Sequence, residues 1–214
     1  MNTAPKIKIV QYMFGRFEYF QWSERINRRY SERHHYEHVI SREAPRPDRH
    51  IVWHKIPVIL SELHDCDYLL WTDADTLFYS QELKIEHELI PLIEDFSILF
   101  PPDIASETLR WNPRLPCSGV MLIRNDPIAR EFFEMWNASS DRKKEYLWAW
   151  PPEQRSLWGE VLPAYRDKIK ILADYYLMNG NYSQFIRHFP LSTDEVRTEA
   201  MKNFYYQRFG EFKS

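Results

Sequence analysis

Glycine and cysteine are both scarce in this chain, which contains five glycines and two cysteines among its 214 residues. So few glycines exclude long flexible linkers of the glycine-rich type. Neither Cys66 nor Cys117 belongs to a Cys-X-X-Cys pair, and each lies just before an apolar stretch. We therefore expect two small, semi-buried thiols in a reducing compartment, with a single disulfide as the alternative.

Long apolar runs are missing as well. No stretch approaches the roughly 20 apolar residues that a membrane-spanning helix needs. Residues 1–5 lead directly into a short strand, without the apolar segment of a secretory signal. These absences predict a cytoplasmic protein with no transmembrane segment, provided that no targeting segment has been trimmed from the sequence.

Concentrated positive charge is the third feature that the chain lacks, since its formal net charge is −3 and its pI is about 6.3. Arg28, Arg29 and Arg33 lie close together, but Glu24 and Glu32 are interleaved with them. Such mixed charges are typical of a solvated helix face. Because phosphate backbones bind to concentrated basic surfaces, we expect no nucleic-acid partner.

Short apolar strands alternate with amphipathic helices along the chain, and this alternation predicts an α/β fold with a mixed, mostly parallel central sheet flanked by helices. The length favours one domain over residues 1–214, with a core over about 6–190 and a polar, aromatic tail over 191–214. The predicted strands are residues 6–14, 36–41, 67–71, 97–100, 120–123 and 169–172. The predicted helices are residues 18–30, 51–63, 127–136, where Asp126 is the expected N-cap, and 152–162.

Asp73 and Asp75 directly follow an apolar strand, in the sequence Trp-Thr-Asp-Ala-Asp. In α/β sheets, ligands bind beyond the carboxyl ends of the strands. Two carboxylates this close repel each other unless a cation lies between them, and Mg²⁺ and Mn²⁺ prefer such oxygen ligands. The alternative is that the two aspartates only cap a turn.

Several segments resemble one known family. Residues 54–57 (His-Lys-Ile-Pro) and 67–78, which contain the two aspartates, are similar to the core of GT-A glycosyltransferases. They are closest to the galactosyl, mannosyl and xylosyl transferases typified by yeast mannan and plant xyloglucan enzymes. Residues 117–125, 153–156 and 187–189 extend the similarity. Two features differ, since a proline and a leucine replace the glycine expected after His188, and the membrane anchor and stem of that family are missing.

The resemblance implies a Rossmann-like GT-A domain that transfers a hexose or pentose from a nucleotide-diphosphate sugar to a carbohydrate or other hydroxyl acceptor. It favours UDP over GDP in the donor, and Mn²⁺ or Mg²⁺ as cofactor. It also implies retention of the anomeric configuration. The implied metal ligands are Asp73, Asp75 and His188, although a single histidine beside an aromatic residue is often only structural.

The other implied binding residues lie in three segments. Gln11 and Tyr12 are expected at the nucleoside, with Tyr12 stacking on the base. Lys55 is either a surface lysine or a contact to the donor phosphates. Gly119 either permits a close backbone approach or leaves space for a sugar.

Gln154 and Glu153 are the expected catalytic residues. The Gln154 amide is placed below the anomeric carbon, and Glu153 orients it or contacts donor hydroxyls; the alternative is that Gln154 is an ordinary residue at a helix start. An inverting enzyme would instead need a carboxylate base, for which Asp103, Glu107 and Glu153 are candidates.

Two other classes of function compete with sugar transfer. The first is a nucleotidyltransferase or phosphotransferase with a metal-carboxylate site, although the chain has no glycine-rich phosphate loop. The second is a non-catalytic binding protein with a GT-A-like fold. For a transferase, we expect the acceptor surface on residues 101–116 and 146–150, and an interface or lid at exposed aromatic residues near positions 204–206. The sequence does not indicate the oligomeric state.

Overall fold

The computed structural model describes residues 4–103, 115–148 and 150–210. Within these residues, eight strands form a six-stranded sheet and a two-stranded sheet. In chain order the strands are β1 (Ile7–Tyr12), β2 (Glu37–Ser41), β3 (Tyr68–Asp73), β4 (Thr76–Phe78), β5 (Ile98–Phe100), β6 (Val120–Arg124), β7 (Ile169–Ile171) and β8 (Ile186–His188).

The large sheet has the order β2-β1-β3-β6-β5-β7. All its pairs are parallel except the two that β6 makes, which are antiparallel to β3 and β5. The predicted mixed, mostly parallel sheet is therefore confirmed. Because β6 runs in the opposite direction, its first residue lies at the same edge as the last residues of β1 and β3.

Apolar helices cover both faces of this sheet, which explains why its strands are almost continuously apolar. Trp71 and Met121 face one apolar layer, whereas Leu70 and Leu122 face the other. The described helices are α1 (Glu18–His34), α2 (Lys55–Glu62), α3 (Ile85–Glu88), α4 (Ile90–Ile93), α5 (Pro127–Arg142), α6 (Pro152–Ser156), α7 (Leu162–Tyr165) and α8 (Asp194–Phe209).

Two of the predicted helices begin or continue in another helical form. The predicted helix over 51–63 starts with a 3₁₀ turn at Ile51–His54 before α2. The predicted helix over 152–162 consists of α6, a π-helical turn at Leu157–Val161, and α7. In contrast, α5 begins as the sequence predicts, with the Asp126 carboxylate accepting from the amide of Ala129 at 2.8 Å.

The small sheet is absent from the sequence prediction, because each of its strands has only three residues. Strand β4 pairs with β8 in antiparallel register, and Thr76 lies opposite His188. Since Thr76 follows the turn that contains Asp75, this pairing brings His188 to the two aspartates from a distant part of the chain.

The expected tail over residues 191–214 is instead mainly the 16-residue helix α8, which packs on α1. Thr193 caps its first turn by accepting from the amide of Val196. The expectation of exposed aromatic residues here is wrong, because Tyr205 is buried, and Phe204 and Tyr206 are partly buried. Their rings contribute to an intramolecular contact between α1 and α8.

Two further expectations concern membranes and cysteines. Among the described residues, no helix has both the length and the apolar composition that crossing a membrane requires. Cys66 and Cys117 are buried free thiols, so the alternative of a disulfide between them is not realised.

Candidate active site

Asp73 is the last residue of β3, and its backbone amide donates to the carbonyl of Gly119 at 2.7 Å. Its carboxylate accepts from the indole Nε1 of Trp71 at 2.9 Å and lies 3.1 Å from Nζ of Lys55. These partners orient the carboxylate at the carboxyl edge of the large sheet, where ligands of α/β proteins bind.

Asp75 lies in the turn between β3 and β4. One carboxylate oxygen is 3.2 Å from Nε2 of His188, and the other is 3.1 Å from the guanidinium of Arg197 on α8. Asp73, Asp75 and His188 each offer one ligand atom, and these atoms lie within 4.8 Å of one another. The three residues that the resemblance implies as metal ligands therefore converge on one small volume.

The charges within this volume are strongly coupled. Burial opposes ionisation of Asp75, but the adjacent His188 and Arg197 hold the pKa of its carboxyl below the usual value. Burial likewise disfavours a charged His188, but the carboxylate of Asp75 outweighs it and raises the pKa of the imidazole. Two carboxylates and an imidazole with these charges can exchange a proton for a divalent cation.

Gly119 lies against the imidazole of His188. A Cβ atom at this glycine would lie 2.2 Å from Cε1 of His188. Of the two explanations that the sequence left open, the structure supports the close approach, and the group that approaches is a side chain of the site itself.

A buried polar network extends from this edge to the start of α6. Nζ of Lys55 lies 3.3 Å from the carboxylate of Glu153 and donates to Oγ of Ser118 at 3.2 Å. In the side chain of Gln154, Oε1 accepts from the backbone N–H of Ser118 at 2.9 Å, and Nε2 donates to the carboxylate of Asp103 at 3.0 Å. Gln154 and Glu153 therefore lie at one site with the aspartates.

Burial and neighbouring charges limit the chemical roles of Lys55 and Glu153. Burial alone would lower the pKa of Lys55, but the carboxylates of Asp73 and Glu153 raise it above its usual value. Lys55 is therefore not a surface lysine but a buried cation between two carboxylates. Glu153 is 5% exposed and lies next to this cation, which makes it unsuitable as a general base. Of the other carboxylates considered for that role, Glu107 lies outside the described residues.

The structure contradicts the expected contact between Gln11 and a nucleoside. Gln11 is 0% exposed, and its amide bonds to Ser23, Asn27 and His38 inside the protein. It lies beneath the site instead, where Nε2 donates to the carbonyl of Asp73 at 3.3 Å.

Tyr12 lies opposite Asp73 in the pairing of β1 with β3. Its hydroxyl bonds to Nδ1 of His54 at 2.6 Å, and its ring is parallel to the half-exposed ring of Phe14, with 6.3 Å between the centroids. Both rings lie beside the candidate site, and base stacking on Tyr12 stays a prediction.

Exposed aromatic rings form a second surface, the Trp148–Trp150 rim. Trp148 is 66% exposed and Trp150 is 69% exposed, and both rings pack edge-on against His50. Trp150 lies three residues before Glu153, and His50 precedes the turn that leads to Lys55. Most of the other expected acceptor segment, residues 101–116, lies outside the described residues.

The sequence prediction missed two residues of the site. Arg197 reaches Asp75 from α8, and Asn179 bonds to His188 at 2.6 Å from the loop before β8. Neither residue belongs to a recognisable motif, and both lie far in sequence from the aspartates. Predictions of the β4–β8 pair and of α8 would have been needed to find Asn179 and Arg197, respectively.

Comparison with known families gives one match over part of the chain. Residues 15–98, less than half of the chain, match the model of the galactosyl transferase GMA12/MNN10 family. A search of curated protein sequences finds no match.

Solved structures show the same fold over nearly the whole chain. A glycosyltransferase that is involved in glycosylation of the major capsid of PBCV-1 aligns with a TM-score of 0.77 and 15% identity, covering 93% of this chain and 100% of that one. An active-site mutant of LgtC aligns with a TM-score of 0.58 and 10% identity, covering 92% and 95%.

A mutant of Drosophila β1,4-galactosyltransferase 7 in complex with manganese, UDP-Gal and xylobiose aligns with a TM-score of 0.51 and 17% identity, covering 91% and 74%. These structures confirm the expected GT-A fold. Together with the match to the GMA12/MNN10 family over residues 15–98, this shared fold supports the expectation that the chain is a glycosyltransferase.

Proposed function

We propose that this chain is a metal-dependent glycosyltransferase that uses a nucleotide-diphosphate sugar, with UDP as the favoured nucleotide. The observation that carries the proposal is the convergence of Asp73, Asp75 and His188 within 4.8 Å at the carboxyl edge of the sheet. Complexes of similar fold support the choice of ligands, because LgtC binds donor and acceptor sugar analogues and the Drosophila enzyme binds manganese and UDP-Gal.

The donor set fits a divalent cation. Two carboxylate oxygens and one imidazole nitrogen suit Mn²⁺, and Mg²⁺ is the alternative. When bound, such a cation would neutralise negative charge on the diphosphate leaving group as a Lewis acid. The protein supplies the orientation, since Trp71 and Lys55 hold Asp73, and Arg197 holds Asp75.

Of the two proposed catalytic residues, Gln154 is the one that we place next to the reacting sugar. Its side-chain oxygen can stabilise positive charge that develops at the anomeric carbon, and Asp103 and Ser118 fix the orientation of the amide. The ion pair between Glu153 and Lys55 supports retention over inversion with Glu153 as base. In the proposed course, the leaving phosphate takes the proton from the acceptor hydroxyl on the same face.

The acceptor of this proposal is a carbohydrate that stacks on the Trp148–Trp150 rim. Exposed indole rings offer flat apolar faces to the C–H groups of a sugar ring, while their N–H groups remain available for hydroxyls. The rim lies beside the segment that contains Gln154, and this placement supports transfer to a sugar. The two buried thiols support the proposed cytoplasmic location, because free cysteines persist in a reducing compartment.

Calorimetric titration of UDP and GDP, each with and without Mn²⁺, tests the proposal on the wild type and on Asp75→Asn. We expect UDP to bind only when Mn²⁺ is present, and the substitution to abolish this binding. Asp167→Asn is the matched control, because the side chain of Asp167 is exposed and forms an ion pair with Lys168, its neighbour in sequence. Failure of both nucleotides to bind under any condition would contradict the proposed function.

A further inference from the structure

Asn179 is a buried amide that contacts the histidine of the site on the side away from the aspartates. It is 6% exposed, and its Oδ1 lies 2.6 Å from Nδ1 of His188. Its Nδ2 donates to the carbonyl of Pro102 at 2.9 Å. Because a carbonyl oxygen only accepts, the amide nitrogen has to face Pro102, and the amide oxygen has to face the imidazole.

This orientation determines where the imidazole carries its proton. Oδ1 of Asn179 accepts, so Nδ1 of His188 must donate. A neutral imidazole with its proton on Nδ1 has a lone pair on Nε2. Nε2 is the ring nitrogen that faces Asp75, at 3.2 Å from its carboxylate. When metal binding displaces the proton that Nε2 shares with Asp75, the lone pair on Nε2 points into the volume between the aspartates.

The backbone of Asn179 is held as firmly as its side chain. Its φ angle is +86°, in the left-handed region that asparagine tolerates better than most residues. Its backbone N–H donates to the carbonyl of Ile186 at 3.2 Å, which links Asn179 to the start of β8. Gly119 lies so close to Cε1, between the two ring nitrogens, that no Cβ atom would fit there. The ring is thus held by two separate contacts.

We propose that Asn179 is a positioning residue that fixes the tautomer of His188, so that Nε2 is available to a divalent cation. This inference rests on the proposed function, because it assumes that His188 binds the cation. Hydrogen bonds of this kind to metal-ligating histidines commonly change metal affinity by about 10- to 100-fold.

The test separates the hydrogen bond to His188 from the other roles of Asn179. Asn179→Gly keeps the positive φ angle available but removes the amide. Asn179→Asp keeps an acceptor for Nδ1, removes the donor to Pro102 and adds a negative charge. We would measure the dissociation constant of Mn²⁺ without nucleotide, from the electron paramagnetic resonance signal of free Mn²⁺. Thermal unfolding of the metal-free proteins provides the structural readout.

We expect Asn179→Gly to weaken Mn²⁺ binding by about 10- to 100-fold. Asn179→Asp should bind Mn²⁺ at least as tightly as the wild type, because it keeps the acceptor for Nδ1 and its added charge favours a cation. Its unfolding temperature should nevertheless fall, because it has lost the bond to Pro102. His188→Ala gives the reference for complete loss of the imidazole. Affinities that follow the unfolding temperatures of the variants, rather than the presence of an acceptor, would overturn the inference.

Two further outcomes distinguish this inference from the proposed function. If the wild type binds Mn²⁺ and Asn179→Gly binds it equally well, the positioning role is wrong and the metal site stands. If the wild type itself binds no Mn²⁺, the proposed metal dependence is wrong, and the role of Asn179 is wrong with it.

Discussion

Gly119 faces the imidazole of His188 with no side chain between them, so that even one added methyl group at position 119 would collide with the ring. In Gly119→Ala, the new Cβ would lie 2.2 Å from Cε1 of His188, which is far inside contact distance. We expect the imidazole to be displaced and Mn²⁺ affinity to fall by at least about 10-fold, since one of three protein ligands is misplaced. Titration of Mn²⁺ into the variant measures this loss.

Gly159→Ala is the matched control for that substitution, because a Cβ there would meet the Tyr146 hydroxyl only at 3.3 Å. It should leave Mn²⁺ affinity unchanged. Circular dichroism would establish that both variants are folded. Wild-type Mn²⁺ affinity in folded Gly119→Ala would show that the imidazole is not needed for binding.

At the same scale, adjacency in sequence or resemblance to a family segment decided which site residues could be predicted. Asp73 and Asp75 follow one strand and share one turn, so the apolar strand before them was enough to bring them together. Asn179 and Arg197 reach the site through β8 and α8, and nothing in the chain marks them. Gln11 shows the opposite error, because its position at the end of β1 suggests a ligand contact, whereas its amide is buried beneath Asp73.

At the scale of elements, α5 shows a helix whose start is encoded locally. The Asp126 carboxylate accepts from the amide of Ala129 and from Oγ of Ser97, which lies just before β5. Asp126→Ala should therefore lower the free energy of unfolding by about 1–2 kcal/mol, through loss of the N-cap. Denaturation in urea measures this change.

Asp126→Asn is the control, because asparagine is nearly as good an N-cap and keeps an oxygen acceptor. Its free energy of unfolding should stay close to that of the wild type. An equal loss of stability in both variants would show that the charge of Asp126, rather than its acceptor, stabilises the start of α5.

The sequence did not predict the elements that lack a broad apolar stripe or a long enough strand pattern. Only Met201 and Tyr205 are buried on α8, so the helix lacks the broad apolar stripe that reveals amphipathic helices. Strands β4 and β8 have three residues each and owe their existence to pairing with each other. By contrast, β3 and β6 are short but almost continuously apolar, and the prediction placed both within two residues of their ends.

At the scale of the whole molecule, His38 couples folding to pH. Burial, together with Arg28, lowers the pKa of this imidazole from 6.5 to about 4, and its Nε2 donates to Gln11. The unfolded chain therefore binds more protons than the folded protein between these two values. Stability is highest above pH 6.5 and falls as the pH decreases toward 4.

This linkage predicts a loss of about 2 kcal/mol in the free energy of unfolding between pH 7 and pH 5. The variant His38→Gln provides the comparison, since glutamine can donate to Gln11 but does not titrate. Chemical denaturation at both pH values should give a smaller loss for the variant. Equal losses in the two proteins would mean that folding does not lower the pKa of His38.

At the same scale, the Trp148–Trp150 rim comes shortly before Glu153 and Gln154 in the chain, and we expect it to bind the acceptor separately from the donor. The two indoles are 66% and 69% exposed and contact His50 rather than any metal ligand. Replacing both with alanine should raise the KM for an acceptor saccharide by about 10-fold, the equivalent of 1.4 kcal/mol of lost stacking. Hydrolysis of the donor by water needs no acceptor, so its rate should not change.

Tyr176→Ala is the matched control for the rim, because Tyr176 is 65% exposed but lines a groove with Tyr79 and Phe204 beside α8. Its KM for the acceptor should equal that of the wild type. If the rim variant instead loses UDP affinity, the two indoles bind the donor nucleotide, and the acceptor has to approach from another side. If only transfer is impaired, separate parts of the chain hold the metal and the acceptor. The end of β3, the turn after it and β8 hold the metal, and the segment before α6 holds the acceptor.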